Sequence, residues 1–403
     1  MKVVQINTFA SGSTGKLAAD IHSMLLSEGH EAYFFYGFGN SGSPNTYRMG
    51  DMFDAHLHSF LSRLSGLQGY FSHINTRRMI KKLKEISPEV IHLHNIHGSY
   101  LNWPLLFKYL KKADVRVILT LHDCCYFTGK CPHFTRVGCE KWKKLCGECP
   151  QLKRYPSSKW FDFTKKIHTD KKKWFSELKS VEVVTVSSWL KSMAEQSLLG
   201  SYPIRCIYNG INTELFSPRP DKDILKKYGL DGKFIIIGVA SEWGVNKGFY
   251  DFKRLSEMLG EDERIVLVGR DDDIKDELTD KMMVINRTED QAELASLYSA
   301  SDVLVSMSIE ETFGLVVAEA MSCGTPAIVY DSTACPEVVA DGCGFVAPPG
   351  DVRQVYEFIK KIRNEKTDRT DICRAHVIEN YTHERMVEKY KELYDEINGE
   401  SHK

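Results

Sequence analysis

The amino-acid sequence predicts an α/β protein with two doubly wound domains, in which helices cover both faces of each parallel sheet. Short β-branched runs alternate with helix-length amphipathic segments through most of the 403 residues, as is typical of strand–helix–strand units. Near residue 200 the turn signal Asn209-Gly210, followed by Pro218, interrupts this alternation. At roughly 100–200 residues per domain, the length suffices for two cores. We predict an N-terminal domain over 1–200, a C-terminal domain over 201–380, and a helix and tail over 381–403.

Eleven strands are predicted, five before the break and six after it. The first series is 3–7, 32–36, 90–93, 115–121 and 181–186, and the second is 204–208, 234–239, 265–268, 283–285, 303–306 and 327–330. Periodic apolar residues predict helices over 290–299, 314–322 and 382–397. Residues 123–163 form an insert that is rich in cysteine and lysine and lacks either period. Inserts of this length are usually functional, cross-linked or disordered.

The charge of the chain is divided between its halves. Residues 1–180 contain 27 Lys and Arg against 14 Asp and Glu, whereas residues 181–403 contain 26 against 40. A basic half indicates an anionic partner such as nucleic acid, an anionic membrane or a phosphorylated substrate. Two surfaces of opposite sign that attract each other would give the same pattern. Because no nucleic-acid-binding motif accompanies the charge, nucleic acid is not expected as a partner.

The N-terminus is typical of a buried strand and lacks the layout of a secretory signal peptide. No apolar run reaches the roughly 18 residues of a membrane span, so a cytoplasmic protein is expected. Lysines alternate with aromatic residues over 141–173, a combination that suits the headgroup region of an anionic bilayer. This predicts reversible, peripheral binding to the inner face of the membrane. The alternative is that the aromatic residues form the core of the insert and the lysines keep it soluble.

Four cysteines of the insert have a spacing that indicates a structural zinc site: Cys131, Cys139, Cys146 and Cys149. The last two form one Cys-x-x-Cys pair, which is half of the usual four-cysteine signature. A zinc ion would order a lysine-rich loop that has few apolar residues of its own. Free thiols are the main alternative, because disulfides are rare in a reducing cytoplasm.

Two carboxylates and a lysine follow strands of the second half. Glu311 precedes the predicted helix 314–322, and Glu319 lies inside it. Backbone N–H groups at the start of that helix suit an anion or sugar hydroxyls, and a partly buried Glu319 could accept hydrogen bonds from a ribose. Lys247 stands at a helix start, where the dipole disfavours a cation unless a phosphate is bound there. The alternative for each is a solvated surface side chain.

The first half has a glycine-containing loop and a histidine cluster. The loop with Gly12 and Gly15 follows the first strand and could bring its backbone close to an anion, although a tight strand–helix turn would need the same glycines. His94, His97 and His122 follow two strands of the first series, and ligands bind at the carboxyl edge of such sheets. Because no second cluster of carboxylates completes a metal site, no catalytic metal is expected.

These motifs resemble family 4 of the retaining glycosyltransferases over nearly the whole chain. The resemblance rests on Glu311-x7-Glu319 with Phe313-Gly314 between them, on the Glu-Ala-Met-x-Cys-Gly-x-Pro run from Glu319, and on Lys247-Gly248 and Asn209-Gly210. The run His-Asp-Cys-Cys-Tyr-Phe-Thr-Gly-x-Cys from His122 resembles a subgroup that builds bacterial surface polysaccharides such as colanic acid, capsule or O-antigen. The family implies the GT-B fold, with two Rossmann-like domains facing across a cleft and the last helix crossing back to the first domain.

The resemblance also implies roles for individual residues. The N-terminal domain would bind the acceptor, with His94 and His97 on that side, and the C-terminal domain would bind a nucleoside diphosphate sugar. By this resemblance, Glu319 would bind the donor ribose, and Glu311 with the backbone of Phe313, Gly314 and Leu315 would face the transferred sugar. Lys247 would bind the diphosphate, and His122 would lie beside the reacting centre. The loop with Gly12 and Gly15 would approach the donor phosphates.

One departure from the family pattern concerns charge. Ser241 stands where the family has an arginine that holds a phosphate, and serine supplies neither the charge nor the planar fork. We expect Arg270 or a residue of the first domain to compensate; otherwise, donor binding is weaker.

The predicted reaction is retaining transfer of a sugar from a nucleoside diphosphate sugar to a hydroxyl of a polyprenyl-linked or other oligosaccharide acceptor, in bacterial surface polysaccharide synthesis. Protein charges would replace a catalytic metal. The alternatives are a non-catalytic nucleotide-sugar- or glycan-binding protein of the same fold and a nucleotide-sugar epimerase. Because the arginine is missing, the binding protein remains an alternative. Release of nucleoside diphosphate would distinguish an enzyme from a binding protein.

Overall fold

The computed structural model describes residues 1–219, 223–270, 274–365 and 367–401. The chain folds into two compact units. The first comprises Met1–Ile207 together with the end of the chain from Val387, and the second comprises Tyr208–Met386. Over the described ranges, no helix is both long and apolar enough to cross a bilayer.

The first unit contains one sheet, with helices between its strands and a helix from the end of the chain. The strands are β1 (Lys2–Phe9), β2 (Glu31–Phe38), β3 (Thr46–Arg48), β4 (Val90–Leu93), β5 (Arg116–Leu121), β6 (Val181–Thr185) and β7 (Ile204–Cys206). The helices up to β7 are α1 (Gly12–Ser27), α2 (Met52–Ser65), α3 (His73–Ile86), α4 (Trp103–Leu110), α5 (Thr164–Ser176) and α6 (Ser188–Glu195).

The seven strands of the first sheet are parallel and lie in the order β3-β2-β1-β4-β5-β6-β7. The central strands are deeply buried, as strands covered on both faces are in parallel sheets. The order reverses between β1 and β4, and open α/β sheets bind ligands outside the strand ends at such a point. The ends of β1 and β4 carry Thr8, His94 and His97 to this place.

The second unit repeats this arrangement. Its strands are β8 (Phe234–Glu242), β9 (Glu263–Arg270), β10 (Met282–Ile285), β11 (Val303–Ser306), β12 (Ala327–Tyr330) and β13 (Gly344–Ala347), and its helices are α7 (Asp223–Lys227), α8 (Phe249–Ser256), α9 (Gln291–Ala300), α10 (Leu315–Ser322), α11 (Cys335–Val338), α12 (Val352–Glu365) and α13 (Thr370–Asn380). The parallel order β10-β9-β8-β11-β12-β13 matches that of the first six strands of the other sheet, so the switch point lies between β8 and β11. The predicted class of two doubly wound, Rossmann-like domains is confirmed.

Three strands differ from the prediction. Strand β7 is the edge of the first sheet, where Ile204 pairs with Val183 of β6; its placement in the second series was wrong. The turn at Asn209-Gly210 comes after this strand, which agrees with its place in the first sheet. Strands β3 and β13 were not predicted, because edge strands of three and four residues are too short to show a period.

The last helix, α14 (His383–Ser401), joins the first unit from Val387 onward. The Tyr394 hydroxyl lies 2.8 Å from His92 Nδ1, and the Tyr390 hydroxyl lies 3.2 Å from Thr120 Oγ1. These bonds pair polar side chains that β4 and β5 bury, and a buried polar group without a partner would be costly. The expected return of the C-terminal helix to the first domain is confirmed.

The insert has an aromatic centre of its own. Over 123–163, all of which the structure describes, there are no strands and two 3-10 turns, Thr135–Val137 and Lys141–Lys143. Trp142 is 1% exposed and stacks on Phe134 with ring centroids 4.5 Å apart. For Trp142 the alternative interpretation is therefore correct, and membrane contact is excluded by burial.

Two buried lysines also organise the insert. Lys130 Nζ donates to the carbonyls of Gln151 (3.3 Å), Leu152 (2.7 Å) and Arg154 (3.0 Å). Lys171 Nζ, on α5, donates to the Thr128 and Cys125 carbonyls. Carbonyl oxygens here replace the water that a buried ammonium group loses. Lys171 is thus structural and does not belong to the expected membrane-binding surface.

Candidate functional site

The candidate site of the second unit centres on the ion pair between Lys247 and Glu311. Lys247 ends the 3-10 turn Val245–Lys247 that follows β8, and Glu311 lies in the loop after β11. Lys247 Nζ donates to Glu311 Oε1, and the side chains are 29% and 20% exposed. The strand order reverses between β8 and β11. The pair therefore forms where sheets of this type bind ligands.

Gly248 allows the two loops to approach each other. Its φ of +75° lies in the left-handed region, which glycine adopts without strain. A Cβ atom at Gly248 would lie 2.5 Å from the Met307 carbonyl oxygen, so a larger residue would move the loops apart. The Ile309 N–H also donates to the Asn246 carbonyl at 3.1 Å. The glycine after Lys247 is thus required to place the lysine beside Glu311.

The loop after β12 holds Glu311 in place. The Glu311 N–H donates to Thr333 Oγ1 at 2.9 Å, and the Glu311 carbonyl accepts from the Ala334 N–H at 3.3 Å. Thr333 has a φ of +53°, which is an outlier for a β-branched residue. Strained backbone of this kind is found where surrounding contacts fix a functional segment. The geometry around Glu311 is therefore fixed by backbone contacts before any ligand binds.

Helix α10 carries the second carboxylate. Gly314 is its N-cap residue, with a φ of +101°, and within the described residues no side chain caps this end. The first N–H groups of α10 are therefore available to an anion or to hydroxyl groups. Glu319 lies one turn after Leu315 on the same face, and the Tyr298 hydroxyl donates to Glu319 Oε2 at 3.2 Å. Glu319 is half-buried, as predicted for a ribose-binding carboxylate.

Phe313 anchors the segment that leads into α10. Its ring centroid lies 6.2 Å from that of Tyr208 and 5.4 Å from that of Tyr381. Phe313 is 3% exposed, so its side chain packs in the interior and only its backbone can face a ligand. This agrees with the backbone role that the family resemblance implies.

Ser241 and Arg270 lie at the exposed ends of β8 and β9. An Arg270 N–H donates to Glu242 Oε2 at 2.8 Å, and both side chains are more than half exposed. Such a surface pair contributes about 0–1 kcal/mol. Arg270 can therefore leave Glu242 for a phosphate at little cost in free energy. Its compensation for the missing arginine stays a prediction.

In the first unit, hydrogen bonds fix the orientation of His122 at the end of β5. Gln5 Nε2 donates to the Ala18 carbonyl at 3.0 Å, so Gln5 Oε1 accepts from His94 Nε2 at 2.9 Å. His94 Nδ1 is then an acceptor, and His122 Nε2 donates to it at 3.3 Å. The lone pair of the neutral His122 ring consequently lies on Nδ1. Burial lowers the pKa of His122 to about 4, so the ring is neutral at pH 7.

His94 lies in the interior of the first sheet. It is fully buried at the end of a central strand, and both ring nitrogens have partners. Its expected place on the acceptor side stays a prediction, and from this buried position it can act only through His122. His94 positions His122.

His97, by contrast, is partly exposed and pairs with Asp123 at 2.8 Å from Nε2 to Oδ2. Burial would raise the pKa of Asp123, but His97 and the Cys125 N–H outweigh it and hold that pKa well below its usual range. His97, Asp123 and the Cys125 thiol lie within 4.8 Å of one another. Burial raises the pKa of Cys125 well above its usual range, and the Cys125 thiol donates to the Lys130 carbonyl at 3.6 Å. The expectation of no catalytic metal stays a prediction.

A cavity of about 530 Å³ opens at the carboxyl ends of β1 and β4, and is called the large cavity below. Its volume lies in the range of ligand sites, roughly 300–1,000 Å³. The lining includes Thr8, Asn95 and His97 from strand ends, Met52, His56 and Arg63 from α2, and Lys130, Lys153, Tyr155 and Phe163 from the insert region. All of its lining falls within the described residues 1–219, and none of it is Asp or Glu. The large cavity therefore favours an anionic ligand.

Gly12 and Gly15 have different structural requirements. A Cβ atom at Gly15 would lie 2.8 Å from the Phe9 carbonyl oxygen, so Gly15 is required where α1 packs on the end of β1. Gly12 has a φ of +79° and open space at its Cβ position. The tight-turn interpretation thus accounts for Gly15. A contact of Gly12 with donor phosphates stays a prediction.

The four cysteines of the predicted zinc site lie around one small cavity of about 20 Å³, called the four-cysteine cavity below. Cys131 is buried, and Cys139, Cys146 and Cys149 are half-buried. The spacing in sequence thus corresponds to proximity in space.

Comparison with known proteins identifies the family. Residues 14–215 match the family model described as "Glycosyltransferase Family 4", and residues 221–382 match that described as "Glycosyl transferases group 1". The chain belongs to this family of two-domain glycosyltransferases. The glycosyltransferase is 27% identical over 426 residues to the putative colanic acid biosynthesis glycosyl transferase WcaC of Escherichia coli K12, covering 98% of this chain and 100% of that protein.

Solved structures show the same fold. The glycosyltransferase matches the sucrose-phosphate synthase of Thermosynechococcus elongatus with a TM-score of 0.72 and 17% identity, covering 99% of each chain. It matches Anabaena HepE in complex with UDP-glucose with a TM-score of 0.68 and 14% identity, covering 98% of this chain and 100% of that one. At these identities the likeness establishes the fold alone, which is GT-B.

Sequence patterns missed three residues of the candidate site. Asp123 follows His122 directly, so its position at a strand end was a usable signal. Tyr298 and Thr333 are 21 and 22 residues from the glutamates that they contact. Only the fold brings these residues together, and no local pattern identifies them.

Proposed function

We propose that this glycosyltransferase moves a sugar from a nucleoside diphosphate sugar to a hydroxyl of a polyprenyl-linked saccharide, with retention of anomeric configuration, in the synthesis of a bacterial surface polysaccharide. The observation that carries the proposal is the ion pair between Lys247 and Glu311, where Glu311 lies in the loop that leads into the uncapped end of α10. The similarity to WcaC supports a polysaccharide product, and that to HepE with UDP-glucose supports the donor class.

In this reaction the bond between sugar C1 and the diphosphate oxygen breaks, C1 bonds to the acceptor oxygen, and the proton of the acceptor hydroxyl passes to the leaving diphosphate. Lys247 and the N–H groups at the start of α10 offset the negative charge that develops on the leaving diphosphate. When a diphosphate binds, Lys247 Nζ pairs with it instead of with Glu311. The Glu311 carboxylate can then accept hydrogen bonds from hydroxyls of the transferred sugar, and Glu319 accepts from the ribose.

His122 and the large cavity supply the acceptor side of the proposal. A neutral histidine with its lone pair on Nδ1 can accept a hydrogen bond from the acceptor hydroxyl and orient that hydroxyl toward sugar C1. Arg63, Lys130 and Lys153 line the large cavity. Positive charge in a cavity without carboxylates favours an acceptor that carries phosphate, as a polyprenyl diphosphate saccharide does.

An exposed apolar surface on α2 and the insert supports binding at a membrane. Phe53, Leu57 and Phe60 follow one face of α2 and are 79%, 46% and 58% exposed, and Trp160 and Phe161 are 63% and 54% exposed. Large aromatic side chains settle at the headgroup level of a bilayer. These five residues are called the exposed apolar surface below.

The two parts of that surface are adjacent and basic. The Lys159 N–H donates to the Arg63 carbonyl at 2.7 Å, which joins the insert to the end of α2. Lys153, Arg154 and Lys159 are exposed in the same segment, and each basic residue near an anionic bilayer contributes about 1 kcal/mol. The proposed location is therefore the anionic, inner face of the membrane, bound peripherally.

The test is a panel of nucleoside diphosphate sugars, first by thermal shift and then by turnover. A bound donor stabilises the protein by mass action, so one donor class is expected to raise Tm. With that donor and an extracted lipid-linked acceptor, release of nucleoside diphosphate is expected, and NMR of the product should show the anomeric configuration of the donor. Binding without release on any acceptor would indicate a non-catalytic protein, and an inverted product would overturn the retaining mechanism.

A further inference from the structure

We propose that Cys131, Cys139, Cys146 and Cys149 bind one Zn²⁺ ion, and that this ion holds one wall of the large cavity. The ion has a structural role and takes no part in glycosyl transfer, so the inference goes beyond the proposed function and does not depend on it.

The size of the four-cysteine cavity fits a single ion. Its volume is about 20 Å³, and a single water-sized sphere needs about 10–15 Å³. A sugar or nucleotide is therefore too large for it. All four cysteines line this cavity, and four cysteine sulfurs are the usual donor set of a structural zinc site.

The backbone around Cys146 and Cys149 is shaped to bring both thiols to this cavity. Between them, Glu148 has a φ of +46°, an uncommon conformation for a residue other than glycine. Lys141 Nζ donates to the Gly147 carbonyl at 3.0 Å and to the Glu148 carbonyl at 2.9 Å. The Cys-x-x-Cys turn is thus held in a strained form by contacts on its outer side.

Burial raises the pKa of Cys131 to about 11 and of Cys146 to about 12, so these groups are thiols until a metal ion binds, and nearby backbone donors and cations then offset the thiolate charge. The Gly129 N–H donates to Cys146 Sγ at 3.2 Å, and contacts of this kind orient metal ligands. Four thiolates around one Zn²⁺ have a combined charge of about −2. Lys130 and Lys141 line the four-cysteine cavity and offset this charge. Each thiol releases its proton to solvent on binding.

The two cavities share residues, which connects the ion to the substrate side. Lys130 and Thr164 line both of them. Lys130 also holds the carbonyls of Gln151, Leu152 and Arg154, and Leu152 lines the large cavity.

A second connection runs through Asp162. Its Oδ2 accepts from the Cys149 N–H at 2.6 Å, and its Oδ1 accepts from the Thr164 N–H at 2.9 Å. The insert has no strand over 123–163, all of it described. Loss of the ion would therefore loosen the segment 149–164 and with it the wall of the large cavity.

The test is the metal content of the full chain, purified without a metal-binding tag from zinc-supplemented medium. About one zinc per chain is expected, with four thiols that react with Ellman's reagent only after zinc is removed. Cys139→Ser should lower the zinc content at least about tenfold, because three thiolates bind zinc more weakly. Cys206→Ser, a half-buried cysteine outside the insert, is the control and should keep its zinc.

Three outcomes would overturn the site: no zinc with all four thiols reactive in the native protein, an intact mass four hydrogens lower, which indicates disulfides, or full zinc in Cys139→Ser. The role of the ion in the wall has its own readout, which does not require a variant to fold. Chelation of zinc from the wild-type chain should increase tryptic cleavage after Lys153 and Arg154 and shift the emission of Trp142, which lines the four-cysteine cavity. Unchanged cleavage and emission after complete zinc removal would overturn that role.

Discussion

His94 Nδ1 lies 3.3 Å from His122 Nε2 at the carboxyl edge of the first sheet. Because Gln5 accepts from the other nitrogen of His94, the tautomer of His122 is set by a residue of β1 that no ligand reaches. A buried hydrogen-bond network of this kind orients a catalytic group before the substrate arrives.

The hydrogen-bond chain Gln5–His94–His122, called the relay below, predicts the effect of Gln5→Met. This substitution keeps the size of the side chain but removes the acceptor. An unpaired His94 N–H in the core should cost about 1–3 kcal/mol of stability. His122 should also lose its fixed tautomer, so kcat should fall even under conditions where the variant stays folded. Steady-state kinetics and urea denaturation measure the two effects. The control is Ile21→Val on α1, which costs about 0.5–1.5 kcal/mol through packing alone. Equal kcat in the two variants would contradict the relay.

Lys247→Met tests the role of the ion pair with Glu311. Removal of one preorganised cation at a developing charge typically lowers kcat by about 100- to 1,000-fold, and the same loss is expected here. Lys253→Met is the matched control, because Lys253 pairs with Glu277 at 3.0 Å on α8 of the same unit. Both variants lose a lysine and an ion pair. If both have the same kcat, Lys247 is a surface lysine and not a diphosphate ligand.

Glu319→Ala should weaken nucleoside diphosphate binding, whereas Glu311→Ala should mainly lower turnover. Loss of a charged hydrogen-bond partner costs about 1.5–3 kcal/mol, or roughly 10- to 150-fold in Kd. Calorimetry with the nucleoside diphosphate alone separates the two glutamates, since Glu311 faces the sugar that this ligand lacks. Wild-type affinity in Glu319→Ala would remove the ribose assignment.

Stability should fall as the pH decreases from about 6.5 toward 4. Burial lowers the pKa of His58 to about 4, of His92 to about 3 and of His122 to about 4. The unfolded chain, with histidine near pKa 6.5, binds more protons than the folded chain in this window. Each histidine therefore reduces the free energy of unfolding by about 1.4 kcal/mol per pH unit.

Urea denaturation at about pH 7, 6 and 5 measures this slope. His58→Gln should reduce it, and His56→Gln, which changes an exposed histidine on the same helix, should not. A slope that is the same in both variants would show that the pKa of His58 does not differ between the folded and unfolded states.

The exposed apolar surface predicts membrane binding that depends on anionic lipid. Co-sedimentation with vesicles should rise with the anionic fraction and fall with added salt. Trp160→Ser with Phe53→Ser should weaken binding, whereas Ile372→Ser, at a residue 48% exposed in the second unit, should not. Lys165, Lys166, Lys172 and Lys173 are exposed, so their joint replacement by glutamine should also weaken binding without unfolding the chain. Binding that is equal on neutral and anionic vesicles would be incompatible with this surface.

The sequence was sufficient for the fold class because most strands of both sheets are long enough to show their β-branched character, and helices separate them. The sequence assigned β7 to the wrong sheet, because no local pattern identifies its partner strand. It also missed the short edge strands β3 and β13. The turn chemistry around Lys247 and Gly314 could be predicted because glycine marks a backbone requirement. The complete burial of His94 could not be predicted, because burial depends on the covering helices. The predicted exposure of Trp142 and Lys171 at a membrane surface was wrong for the same reason.

The hydrogen bonds of Tyr390 and Tyr394 have a consequence for the order of synthesis. These tyrosines complete the pairing of Thr120 and His92, which lie 270 and 302 residues earlier in the chain. Domains generally fold in turn from the N-terminus as the ribosome releases them. Here the first unit must wait with part of its core open until the whole second unit and the start of α14 have emerged. The last helix therefore completes the core of the first unit only near the end of synthesis. Its truncation would leave the first unit unfinished while the second unit keeps all of its own strands.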